Sequence, residues 1–144
     1  MNERVEVLLV GGTAQSSLHL TQWLERRGCR CQFSSSCKEA CNLIAGQAFD
    51  FVLSHFELPD NSAYPILEKL VGSATTLFFS KLIENGCLWI PALSQGKRWP
   101  AARVLRPREF ALSLEAAIRE TFSQTASAPT GAVRGPGCEN VSRD

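Results

Sequence analysis

Short apolar runs alternate with stretches of helical periodicity along most of the chain. Val5–Val10 (VEVLLV) is almost continuously apolar and closes at Gly11-Gly12, which predicts a strand buried on both faces. Leu18, Leu20, Trp23 and Leu24 then recur at near-helical spacing, and Gly28 after Arg26-Arg27 reads as a helix stop. Cys29–Phe33 is a short strand candidate. Ser34-Ser35-Ser36 offer N-caps for a second helix that carries Ala40, Leu43, Ile44 and Ala45 and ends at Gly46. Phe49–Phe56 (FDFVLSHF) predicts another buried strand, followed by loop chemistry in Glu57-Leu58-Pro59-Asp60-Asn61. Asn61 or Ser62 would cap a third helix that reaches Leu70. Thr75–Ser80 (TTLFFS) is a further buried strand and Ala102–Leu105 a weaker final one. Phe110, Leu114, Ala117, Ile118 and Phe122 make one apolar face of a last helix.

Strands alternating with helices at this spacing predict βαβ units, hence an α/β fold with a five-stranded parallel sheet wound on both faces. One interval breaks the rhythm. Lys81–Trp99 should hold a fourth helix, yet it contains Asn85-Gly86, the patch Leu88-Trp89-Ile90, then Pro91 and Gly96. That composition predicts a fourth helix that is short or replaced by a loop or β-hairpin. From Ser123 the chain turns small, polar and rich in Gly and Pro, without periodicity. It cannot bury enough apolar surface to offset ordering entropy. The expected organisation is one domain over residues 1–122 and a disordered tail over 123–144.

Composition narrows the function classes. A chain of 144 residues is one domain of ordinary size, and its 15 basic and 14 acidic side chains leave a net charge of +1. Such a balance gives no electrostatic footprint for nucleic acid. No apolar stretch approaches the ~18 residues of a membrane span, and the N-terminus lacks a signal-peptide layout, so no membrane association is expected. The six cysteines read as reduced thiols. Cys29, Cys31, Cys37 and Cys41 lack the paired knuckles of structural zinc sites, so small buried hydrophobes are the favoured reading and metal or redox duty the weaker one. Gly11-Gly12 lacks the spacing of a dinucleotide-binding turn. No nucleophile–base pair is legible, so neither enzyme activity nor a cofactor is expected.

Four landmarks in order carry a family resemblance: VEVLLV with its two-residue tip, FDFVLSHFELPD, TTLFFS, and VLRP before the last helix. With them the chain resembles the CheY-like receiver domain of two-component response regulators, a flavodoxin-like fold, over roughly Val5–Phe122. The resemblance implies an acidic pair at the tip of the first strand and an acceptor aspartate on the third, which together hold Mg²⁺. It also implies a hydroxyl and a Lys before Pro that bind the phosphoryl oxygens.

In this sequence the acidic-pair positions are Gly11 and Gly12, and the acceptor position is His55. Ser80 matches the hydroxyl, and Arg106 stands where the family has Lys, followed by the matching Pro107. The aromatic position on the last strand falls at Arg103. All three acidic ligand positions lack a carboxylate, and an imidazole cannot form the labile acyl phosphate. Glu57 and Asp60 lie past the strand end and do not rebuild the geometry. His19, on the first helix, is expected to lie away from this pocket.

The expected function is a degenerate, stand-alone receiver module, without metal, that signals by protein–protein contact. The alternative is phosphorylation at His55 or Ser54 within a phosphorelay. Leu88, Trp89, Ile90, Pro91, Trp99 and Arg103 are the candidate interface. The expected partners are a histidine kinase, an output protein or a second copy of the chain. The resemblance implies a cytoplasmic setting.

Overall fold

The computed structural model describes residues 4–12, 17–83, 86–99 and 103–127. In chain order the elements are β1 (Val5–Val10), α1 (Leu18–Glu25), β2 (Cys29–Ser34), α2 (Cys37–Gly46), β3 (Phe51–His55), α3 (Tyr64–Leu70), β4 (Thr76–Ile83), β5 (Gly86–Ser94), β6 (Lys97–Arg98) and α4 (Pro107–Ser127). One sheet contains all the strands, in the order β2-β1-β3-β4-β5-β6. The first four run parallel, with β1 in register between β2 and β3. The last two are antiparallel.

The two faces of the sheet carry two cores. Leu8, Val10, Val52, Leu77 and Phe79 pack with residues of α2 and α3 on one side. Val7, Leu9, Phe51, Leu53 and Phe78 pack with Leu24 of α1 and with Phe110, Leu114 and Ile118 of α4 on the other. Alternate residues of each strand therefore serve alternate cores, which is why the central runs are apolar throughout rather than alternating. The α2 start follows its caps: Ser36 Oγ accepts the Glu39 N–H at 3.1 Å, one of the donors that the first helical turn leaves without a partner. At α3 the N-cap is Ala63, with no side-chain bond; Ser62 Oγ instead accepts the Tyr64 N–H at 3.3 Å.

The fold is the doubly wound α/β class that the periodicity predicts, in the flavodoxin-like form that the resemblance implies, with two corrections. First, the sheet has six strands rather than five, and only four are parallel. The irregular interval is the β-hairpin: β4 pairs antiparallel with β5 from Ile83↔Gly86 inward. Second, Ala102–Leu105 does not supply the outer strand. Residues 100–102 lie outside the described set, and Leu105 makes a single antiparallel bridge to Trp89. The physical reason is proximity in sequence. The edge of β4 is taken by the segment that can close back within two residues, at far lower loop-closure cost than a crossover.

A second tight turn, Gln95-Gly96, links β5 to β6 with φ +53 and +80. The Gly96 N–H bonds the Thr75 carbonyl at 2.7 Å and its carbonyl accepts the Gly72 N–H at 3.0 Å. A β-carbon at Gly96 would collide with the Ser73 backbone, so only glycine lets the hairpin dock there. α4 continues through Ser127, five residues past the expected end of the domain at 122. The remainder of the expected tail, residues 128–144, lies outside the described set.

Candidate functional site

β1 and β3 are parallel neighbours, but the chain leaves β1 toward β2 on one side and leaves β3 toward β4 on the other. Loops at the carboxyl ends of such strands splay apart and leave a crevice. Gly11, His55 and Ser80 meet there. They line a cavity of about 300 Å³ whose walls include Leu9, Leu20, Leu53 and Trp89.

In this pocket the two positions that depart most from the family pattern, Gly11 and His55, are packed side by side. Gly11 adopts φ +95, and a β-carbon on it would stand 2.8 Å from His55 Cδ2, 2.9 Å from His55 Cβ and 2.8 Å from Leu58 Cδ2. The imidazole therefore occupies the space that a side chain at position 11 would need. His55 is half-buried, and burial alone holds its pKa below the ordinary imidazole value. That shift favours the neutral ring. Ser80 is fully buried on the adjacent strand, and its hydroxyl makes a long contact of 3.5 Å to the Ser54 carbonyl and a hydrogen bond with the Cys87 side chain. Ser54 is also buried and donates to the His55 carbonyl at 2.8 Å.

The neighbouring carboxylates are placed elsewhere. Asp60 accepts the Cys37 and Lys38 N–H groups at 2.9 and 3.0 Å, capping α2 from a distant loop. Those two bonds hold its carboxyl below the usual carboxylate range. Because the folded pKa is depressed, this contribution is present above the unfolded carboxylate pKa and lost as pH falls through the folded value. Asp60→Ala should therefore lower the thermal midpoint at pH 7, and the gap to the parent should close in strong acid. Thermal scans across that range check it. Glu57 instead lines a smaller cavity of about 100 Å³ together with His55, Phe56, Ser80 and Lys81.

Three residues near the site were not anticipated as part of it. His19 lines the same cavity as His55, contrary to the expectation that it lies away from the pocket; Ser17 and Leu20 at the start of α1 line it too. Cys87 lines it from β5, a strand whose existence depends on the hairpin. Lys81 follows Ser80 directly and is exposed at the mouth. Arg106 does not join them. It is exposed, lies outside the lining residues, and its N–H bonds Glu109 Oε1 at 3.0 Å in the first turn of α4. Gly12 is exposed beyond the tip.

The candidate interface residues take varied positions. Trp89 stacks on Phe110 at 3.8 Å with the rings 5° apart, and Trp99 tilts against Phe78 at 5.9 Å. Both indoles pack beneath α4, filling space beside β4 instead of standing clear as an aromatic patch. Pro91 is buried, while Leu88 and Ile90 are half-buried. Arg103 is exposed and pairs with Glu109 at 3.6 Å.

The cysteines are split between the two cores. Cys29 joins the core under α1 and α4, and Cys37 the one under α2 and α3. Burial pushes Cys29 and Cys37 up to about 11 and Cys31 to about 12. Among the described residues no group of three or more His, Cys, Asp or Glu side chains is placed to hold a metal ion. Cys138 lies outside the described set. No helix among the described residues is long and apolar enough to cross a membrane.

No protein-family model matches the chain, and no curated protein matches it. Solved structures do. The signal receiver domain of an HD domain-containing protein from Pseudomonas fluorescens Pf-5 superposes with a TM-score of 0.61 at 20% identity, covering 89% of this chain and 96% of that one. The non-phosphorylated HemR receiver domain from Leptospira biflexa gives 0.56 at 22% identity, covering 80% and 94%. A CheY-like response regulator receiver domain from Methylobacillus flagellatus gives 0.56 at 14% identity, covering 79% and 98%. The likeness extends over nearly the whole length of each and establishes the receiver fold.

Proposed function

We propose that this receiver-fold chain is a signalling module that has lost phosphoryl chemistry and acts through contact with another protein. One observation carries the reading. His55 fills the space beside Gly11, so the position where an acidic metal ligand would stand has neither a carboxylate nor room for one. The supporting electrostatics agree. The Asp60 carboxylate is engaged at the α2 N-terminus, Glu57 lines the separate smaller cavity, and Arg106 lies outside the pocket. A hard divalent cation needs several oxygen ligands, and among the described residues the cavity walls offer hydroxyls, imidazoles and a thiol. Ser54, the other acceptor considered, is fully buried and already donates its hydroxyl proton to a carbonyl, which disfavours phosphorylation there.

Partners in this reading are a histidine kinase, an output protein or a second copy of the chain, in a cytoplasmic setting. Of the candidate interface Pro91 alone is buried; Arg103 is exposed, and Leu88, Trp89, Ile90 and Trp99 are half-buried, the two indoles engaged with Phe110 and Phe78. Incubation with acetyl phosphate and Mg²⁺, followed by intact mass, tests the reading. The expected result is an unmodified mass. A stoichiometric phosphoryl adduct that disappears in His55→Ala would contradict it.

A further inference from the structure

We propose that the cavity at the carboxyl edge of the sheet binds a small, uncharged aromatic molecule bearing one or two hydrogen-bonding oxygens, which supplies the regulatory input that phosphorylation no longer provides. The proposal rests on the reading of the chain as a receiver without phosphoryl chemistry and names the regulation of that same site. Four features of the cavity define the ligand.

The first is place and size. The cavity lies at the switch point of the parallel sheet, and its volume of about 300 Å³ suits a single substituted ring. The second is charge. Among the described residues its lining contains no carboxylate, ammonium or guanidinium group; Glu57 and Lys81 stand outside it, in the smaller cavity on the other side of His55 and Ser80, so an apolar, uncharged ring fits the lining better than a phosphate or a metal ion.

The third is shape complementarity to flat rings. Trp89, His55 and, at the exposed rim, His19 present aromatic surfaces, and Leu9, Leu20 and Leu53 add apolar walls to a cleft that stays open on one side. The fourth is hydrogen-bonding capacity. No hydrogen bond of the His55 ring is found among the described residues, while the buried Ser80 hydroxyl is held by a long 3.5 Å contact to the Ser54 carbonyl and by the Cys87 thiol. A ligand hydroxyl or carbonyl beside His55 satisfies the imidazole, with the Ser80 hydroxyl in the same lining. Occupancy would be relayed outward through two contacts already described: His55 against Gly11 at the β1 tip, and Trp89 stacked on Phe110 of α4.

The probe is p-cresol, titrated into the isotope-labelled full chain and followed by NMR. Saturable shifts at His55, Ser80 and Trp89 are expected, with at least tenfold weaker binding of p-toluate and of inorganic phosphate. Cys87→Phe should fill the cavity and weaken p-cresol binding at least tenfold. Should that variant fail to fold, Ser80→Ala, which removes the buried hydroxyl and adds no volume, should weaken it severalfold. Three results would overturn the proposal: no saturable shift; shifts confined to Trp23 and Ala111 in the neighbouring groove between α1 and α4; or p-toluate bound as tightly as p-cresol. The acetyl phosphate experiment separates the two layers. An adduct at His55 removes the underlying reading, whereas an unmodified chain that also ignores p-cresol sinks the ligand alone.

Discussion

Gly11→Asp, the substitution that would restore one acidic position, is expected to lower folding stability by about 4 kcal/mol. Two effects add. A side chain on a residue at φ +95 is held in the left-handed region, at roughly 1–2 kcal/mol. The new β-carbon would also stand within 2.9 Å of His55 and Leu58, overpacking a site that must shift at roughly 1–3 kcal/mol. Against a typical domain stability of about 5–15 kcal/mol, such a loss leaves little reserve. The second effect belongs to His55, so Gly11→Asp made on a His55→Ala background should recover about half the loss, the part due to contact and not to φ. Urea denaturation of the four proteins in this cycle measures both parts. Independent, additive effects would mean that Gly11 and His55 are not one packing unit.

Trp89→Ala is the second large effect, a loss of about 3 kcal/mol in the same assay. The indole stacks face to face on Phe110, and the Trp89 backbone exchanges two hydrogen bonds with Leu105, at 2.8 and 2.7 Å. That residue therefore joins the hairpin to α4 on a side of the sheet where a parallel fifth strand was expected. A change below 1 kcal/mol would mean that the hairpin is an ornament rather than part of the core. The prediction also bears on partner mapping. Trp89→Ala disturbs the fold, so Leu88 and Ile90, which are half-buried on the same strand, are the better positions for probing an interface.

The difference between β4 and β5 explains how much could be read from sequence. Runs such as VEVLLV and TTLFFS are apolar because both of their faces are covered, and that signal is local. The helices were equally legible where a cap and a stop framed them, as at Ser36 and Gly46. What lay beyond local reading was competition for the edge of β4. Ala102–Leu105 has strand-like composition, yet the hairpin closes first and leaves only Leu105 a partner, at one residue. The same competition moved Cys87 into the cavity and kept Arg106 out of it. At the site, Gly11, His55 and Ser80 line one cavity because strand ends set their positions. His19 joins them from α1, a placement that tertiary packing decides, and Lys81 stands beside them because β4 runs on to Ile83.

The charge of the pocket is the claim on which the rest depends, and a Mg²⁺ titration of the full chain by calorimetry, with amide shifts recorded in parallel, measures it directly. The account predicts no heat of binding and no shift at Gly11, Gly12 or His55 through the millimolar range. Saturable binding with shifts at those three residues would contradict it.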